Sequence, residues 1–131
     1  MSALPTGHSG SILVVEDEAL LRMMAVDIFE DAGFTVFEAG NGADGARLLA
    51  DHSEIDGLFT DVEMPGEVSG LALARIAHER HPHVAILVVS GRASPAAQDL
   101  PPGAKFVGKP YDTQAIVALF EGLMPPNVRP S

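Results

Sequence analysis

Four short stretches carry side chains able to do chemistry at oxygen: Glu16-Asp17-Glu18, Asp61, Ser90 and Lys109. Each sits at the end of a short apolar run. The acidic triplet follows Ile12 to Val15, Asp61 follows Gly57 to Thr60, Ser90 follows Val84 to Val89, and Lys109 lies just beyond Phe106 to Val107. In an open α/β sheet, ligands bind outside the carboxyl ends of the strands where strand order reverses. If the runs are strands, four polar positions converge on one edge of an apolar sheet. Glu16, Asp17 and Asp61 carry −3 and Lys109 carries +1, which leaves −2, the charge matched by one divalent cation. Two carboxylates about 4 Å apart repel by roughly 4 kcal/mol at an effective dielectric near 20. A hard cation such as magnesium offsets that repulsion, and it usually pairs one or two carboxylates with waters and phosphate oxygens. Beside a lysine and a hydroxyl, this arrangement suits phosphoryl transfer, where positioning and charge neutralisation dominate. Asp61 is then the natural nucleophile, forming an acyl phosphate. Glu16 and Asp17 would hold the ion, while Lys109 and Ser90 would each contact a phosphoryl oxygen.

The elements that must position these groups are readable from hydrophobic period. Uninterrupted apolar runs suit strands covered on both faces by helices. Thr35 to Ala39 contains Glu38 and fits an edge strand better. Between the runs, Leu21, Met24, Ala25, Ile28 and Ala32 follow helical spacing, and Gly33 supplies a stop. Met24 is thereby expected in the core and Met23 on the surface. Ile116, Leu119, Phe120 and Leu123 repeat the stripe ahead of Pro125 and Pro126, and residues 42 to 52 and 69 to 81 read as Ala-rich helices. The resulting alternation predicts an α/β fold with a doubly wound, five-stranded, parallel sheet and right-handed crossovers. One crossover departs from the rhythm. Between Ser90 and Lys105, Pro95, Pro101, Pro102 and two glycines predict a truncated fourth helix.

Composition bounds the rest. The chain has 131 residues, 47% hydrophobic and 20% charged, which is a globular balance for one domain. Area scaling buries roughly two-thirds of the unfolded surface, enough for a core without staples. A net charge of −10 argues against nucleic-acid and anionic-membrane surfaces, which need a basic face. There is no cysteine, so disulfides, thiolate zinc sites and cysteine nucleophiles are excluded. No apolar run approaches the roughly 20 residues of a spanning helix, and no secretory pattern opens the chain, so a cytoplasmic location is expected. Residues 1 to 10 and 125 to 131 are breaker-rich and are expected to be flexible tails flanking a domain at 11 to 124.

Glu16-Asp17-Glu18, Asp61-Val62-Glu63-Met64-Pro65 with Gly70 beyond, Ser90-Gly91 and Lys109-Pro110, in this order and each at a strand end, resemble the receiver domain of two-component response regulators. The resemblance covers residues 11 to 124 and implies a flavodoxin-like (βα)5 fold. It implies that Asp61 accepts phosphate from a histidine kinase or histidine phosphotransfer protein, with magnesium bound by Asp17 directly, by Glu16 through water and by the backbone carbonyl of Glu63. It implies a cis peptide before Pro110, a switch hydroxyl at Ser90, an aromatic at Phe106 whose rotamer follows it, and a small residue at Gly91 that leaves access open. Two features depart from the family pattern. Gly70 lies nine rather than eight residues after Asp61, so the loop at 65 to 69 has one extra residue, and the fourth helix is short. Both resemble stand-alone receivers common in alphaproteobacteria. With no output domain expected after the last helix, a downstream protein target or phosphate relay is implied, and the dimer many receivers form through the fourth-helix face is not assumed.

Simpler readings stand beside these. The acidic triplet also suits a helix N-terminus, Glu18 best of all. Phe106 in an apolar strand is ordinarily core. Glu63 and Arg92, each two positions beyond Asp61 or Ser90, are candidates for an ion pair flanking the phosphate, and a surface pair of little consequence is the alternative. The histidines at 8, 52, 78, 81 and 83 show no ligand spacing. A phospho-accepting signalling module, not itself an enzyme, is the expected function. The alternatives are a receiver-like interaction module that never accepts phosphate and a magnesium-dependent hydrolase with an aspartyl intermediate, whose nucleophile motif would belong on the first strand.

Overall fold

A computed structural model of the chain describes residues 10–91 and 99–124. The apolar runs become strands β1 (Ser11–Val15), β3 (Gly57–Asp61), β4 (Ala85–Ser90) and β5 (Lys105–Gly108), and the Glu38-containing segment becomes β2 (Thr35–Ala39). They form one sheet in the order β2-β1-β3-β4-β5 with every pairing parallel. As expected, β2 is an edge strand. Between them lie α1 (Ala19–Asp31), α2 (Gly42–Asp51) and α3 (Gly70–Arg80), and α4 (Thr113–Leu123) is the last element among the described residues. Strand order reverses between β1 and β3, so the tips of these two strands border the crevice that open α/β sheets use for ligands.

Every residue of β1 and β3 is buried, because helices cover both faces of the sheet. Alternate strand residues feed two cores. Leu13, Val15, Leu58, Ile86 and Val88 pack with Leu49 of α2 and Leu73 and Ala77 of α3. Ile12, Val14, Phe59, Leu87 and Val89 pack with Ala25 and Phe29 of α1 and Ile116 and Phe120 of α4. Phe29 is the hub of the second core, edge-to-face with Phe59 at 5.2 Å, Phe120 at 5.4 Å and Phe34 at 6.2 Å.

The α1 stripe differs from the expectation. Ala25 and Phe29 are buried, whereas Met24 is 52% exposed along with Leu20 and Met23. The aromatic packing of Phe29 sets the buried line, and Met24 lies one residue, about 100°, off it. Gly33 does stop the helix. Its φ of +100 and the bonds Gly33 N–H to Glu30 O and Phe34 N–H to Phe29 O form a Schellman motif.

The other helices start on side-chain caps. Asn41 accepts from Asp44 N–H, Ser69 from Ala72 N–H, and Asp112 from Gln114 and Ala115 N–H. Gly10, expected in the tail, is buried, and its carbonyl accepts from Thr35 N–H. The expected truncated fourth helix falls largely on residues 92–98, and the tails on 1–9 and 125–131, all outside the described residues.

The loop at 65 to 69 is bordered by close backbone approaches. A Cβ at Gly70 would lie 1.7 Å from the carbonyl oxygen of Asp61, and one at Gly42 would lie 2.1 Å from that of Val68. Gly70 thus lets the start of α3 sit directly against the end of β3. Gly70→Ala is expected to destabilise the fold by about 3 kcal/mol in urea unfolding. Gly122→Ala, on α4 with open space around it, is expected to be neutral or to stabilise by up to about 1 kcal/mol.

Candidate functional site

β1 carries the chain to Glu16, whose N–H donates to Ala39 O at 3.1 Å and so extends the β1·β2 ladder past its last residue. Arg22, in the first turn of α1, donates from Nη1 to Glu16 O at 2.9 Å and from Nε to Glu38 Oε1 at 3.1 Å. Glu16 is thus tied through its main chain on both sides, and the residue is 5% exposed. Asp61 ends β3 and is 6% exposed. Asp17 is exposed. One carboxylate oxygen from each of Glu16, Asp17 and Asp61 lies within 4.8 Å of the others.

Lys109 enters this cluster from beyond β5. Its N–H donates to Ser90 O at 2.8 Å, which continues the β4·β5 ladder and aims the side chain across the strand ends. Its Nζ lies 2.5 Å from Asp61 Oδ2 and 3.4 Å from Glu16 Oε1. The Lys109–Pro110 peptide is cis, as the resemblance implies. Gly91 lies beside the Lys109 side chain, where a Cβ would be in ordinary contact at 3.8 Å. Asp61 Oδ1 accepts from Glu63 N–H at 3.0 Å.

The electrostatics follow from burial. Loss of solvent pushes the Glu16 carboxyl up to about 7; its hydrogen bond with Asp17 and the Asp61 charge add to the rise, while Glu18 N–H and Lys109 oppose it. Burial alone would lower the Lys109 ammonium, but the hydrogen bond and charge of Asp61, with those of Glu16, outweigh it and leave it above its ordinary value. One ammonium therefore does not satisfy three carboxylates. The donor set is entirely oxygen, two of its three members are buried, and one is driven toward protonation, which is the chemistry of a site suited to a hard divalent cation.

Glu16, Asp17, Asp61 and Lys109 are thus brought together as expected. Ser90, at the tip of β4 and 1% exposed, donates its hydroxyl to Glu63, with Oε1 and Oε2 each 2.9 Å away. Phe106 pairs with Val88 in the sheet and packs, half-buried, on the α2/α3 side. Glu63, expected to act through its carbonyl, borders the site by its N–H and its carboxylate. Its expected partner Arg92 lies outside the described residues. Glu18 stands at the N-cap position of α1 without a side-chain cap, and its N–H instead donates to Glu16 Oε2 at 3.3 Å.

Among the described histidines, His52 lies against Phe37 and Glu54, and His83 Nε2 is 3.1 Å from Ile55 O. None belongs to a cluster able to hold a metal among the described residues. The sequence reasoning missed Arg22 and Glu38. Their signal was a cation on α1 facing an acid on the strand beside β1. It also missed a cleft of about 390 Å³ beside Lys109, lined by Glu16, Leu21, Met24, Ile28 and Tyr111 among others.

Residues 12–121 match the family model of the response regulator receiver domain. The chain belongs to that family. This receiver is 34% identical over 116 residues to the response regulator receiver protein CpdR of Brucella abortus, covering 86% of this chain and 95% of that protein. It is 33% identical over 120 residues to the sensor kinase CckA of the same organism, covering 88% of this chain but only 13% of the kinase. It likewise spans 48% and 33% of the length of two other matched regulators, a probable transcriptional regulator of Picosynechococcus and ArcA of Escherichia coli. Among solved structures it is similar to a response regulator receiver protein from Sinorhizobium medicae, with a TM-score of 0.83, 29% identity, and coverage of 88% of this chain and 94% of that one.

The raised Glu16 carboxyl makes stability depend on pH. Between the unfolded value of 4.5 and the folded value of about 7, the folded receiver binds more protons at Glu16 than the unfolded chain does. The Glu16 contribution to stability is therefore greatest below about 4.5 and is lost as pH rises to about 7. In metal-free buffer, urea unfolding at pH 5 and pH 8 should show the parent losing of the order of 2 kcal/mol relative to Glu16→Gln, after solvent screening. Magnesium should restore most of that loss at pH 8. Parallel pH profiles for parent and variant would contradict the assignment.

Proposed function

We propose that this receiver is a phospho-accepting signalling module in which Asp61 takes a phosphoryl group from a phosphohistidine of a histidine kinase or histidine phosphotransfer protein. The observation that carries this reading is the Lys109 ammonium held between Asp61 Oδ2 and Glu16 Oε1 within the carboxylate cluster. An Asp61 oxygen forms the new O–P bond as the N–P bond of the donor breaks, and the imidazole nitrogen leaves with the electron pair and takes up a proton. Lys109 is placed to move from a carboxylate oxygen to a phosphoryl oxygen, so its charge tracks the charge that accumulates. Glu63 N–H, already on Asp61 Oδ1, orients the carboxylate for attack.

Glu16, Asp17, Asp61 and the carbonyl of Glu63 would hold the magnesium ion. Bound there, it supplies neutralisation of the phosphoryl oxygens. Once Asp61 is esterified, a −1 carboxylate becomes a group of about −2 with three acceptor oxygens. Ser90 donates to one of them, Phe106 follows, and the surface around β4 and β5 changes for a downstream protein target. The module turns over no substrate of its own; it accepts phosphate and later loses it to water or to a relay partner. Similarity to receivers of kinase-coupled systems supports a kinase or phosphotransfer partner. The charge of −10 supports a protein rather than a nucleic-acid target, and no helix among the described residues is long and apolar enough to cross a membrane.

Incubation with acetyl phosphate, with and without magnesium, followed by mapping of the modified residue, tests the reading. Labelling is expected on Asp61 only, to depend on magnesium, and to vanish in Asp61→Asn. Lys109→Ala should slow it on the order of 10²-fold, the effect of removing one charge-stabilising donor. Undiminished labelling of Asp61→Asn would refute the assignment.

A further inference from the structure

Ser90 is almost fully buried at the tip of β4, yet its hydroxyl reaches a different loop, with both carboxylate oxygens of Glu63 at 2.9 Å. Glu63 also donates its main-chain N–H to Asp61 Oδ1 at 3.0 Å. One short segment therefore touches the acceptor aspartate through its backbone and the hydroxyl through its side chain. A hydroxyl carries a single proton. It can be given to Glu63 or to an oxygen attached at Asp61, and a charged acceptor makes either bond about twice as strong as a neutral one.

We infer that Glu63 is a positioning residue whose carboxylate holds Ser90 in the resting arrangement, so that switching is a competition between Glu63 and the phosphoryl group for one proton. The inference rests on Asp61 being the phosphoacceptor, and it adds what the hydroxyl must leave. The two halves of the exchange reinforce each other. A phosphoryl group at Asp61 offers Ser90 a rival acceptor, and its negative charge repels the Glu63 carboxylate two residues away. Before phosphorylation, the fraction of molecules with Ser90 turned toward Asp61 is lowered by the strength of the Glu63 bond, and any process that needs that arrangement is slowed by the same factor. The acceptor at position 63 thereby tunes how readily the receiver switches, without itself touching the phosphoryl group.

A double-mutant cycle separates this role from the charge of Glu63. Glu63→Gln and Glu63→Ala both remove the charge, but only the first keeps an acceptor, so the ratio of their rates isolates the hydrogen bond. With magnesium and acetyl phosphate, Glu63→Ala should be labelled at Asp61 about fivefold faster than Glu63→Gln, the worth of one ordinary hydrogen bond. When each is combined with Ser90→Ala, the two rates should agree within twofold. The Ser90 amide and Cβ resonances of the unphosphorylated protein should move toward their phosphorylated positions in Glu63→Ala and less so in Glu63→Gln. Equal rates for the two single variants, or a ratio that survives Ser90→Ala, would overturn the inference while leaving Asp61 as acceptor. A parent that takes no label at Asp61 would overturn both.

Discussion

Three carboxylates and one ammonium share the carboxyl edge of the sheet, and much of the structure is arranged to keep them there. Glu16 and Asp61 are buried, so water contributes little to dispersing their charge. Lys109 bridges them, and the hydrogen bond to Asp61 overcomes the cost that burial imposes on the ammonium. One positive charge faces three carboxylates, and burial above all, with smaller contributions from Asp17 and Asp61, pushes Glu16 up. An all-oxygen cluster with this charge balance is chemically suited to a proton or a hard cation.

The fold supplies what this cluster needs in rigidity. β1 and β3 are buried on both faces, with the two cores on opposite sides of the sheet. The strand tips cannot drift apart without opening one core or the other, because close-packed interiors have little freedom to relax. The connections at the site edge are bound by backbone. Glu16 is tied to Ala39, Lys109 to Ser90, and Gly70 to Val62, the last approach requiring the absence of a side chain. Arg22 adds a side-chain tie from α1 to the Glu16 carbonyl. Against this frame Glu63 and residues 65 to 67 are exposed, although Met64 between them is buried.

Strand content was legible because a sheet covered on both faces writes continuous apolar runs, and β2 was legible as an edge because Glu38 interrupts one. The site was legible because chemistry-bearing residues ended those runs. The buried face of α1 was misplaced by one residue. Hydrophobic spacing ranks Met24 with Ala25 and Ile28, but only three-dimensional packing shows that Phe29 meets Phe59 and Phe120 at once. Glu63 was singled out for its carbonyl and for a pairing with Arg92, and its grip on Ser90 was not visible. Those two residues are 27 positions apart, and their meeting depends on the path of the loop after β3.

The order of apolar and polar residues along the chain was enough to determine that this is a five-stranded parallel α/β domain and that Asp61 and its acidic neighbours face a lysine. Periodicity and strand-end position are local properties, and a parallel sheet converts them into shared location with few alternatives. Which carboxylate is driven toward protonation, which arginine braces it and which acceptor holds the Ser90 proton were decided only by tertiary structure. Burial and hydrogen-bond partners are properties of the neighbours that folding brings within a few ångströms, and no spacing along the chain encodes them.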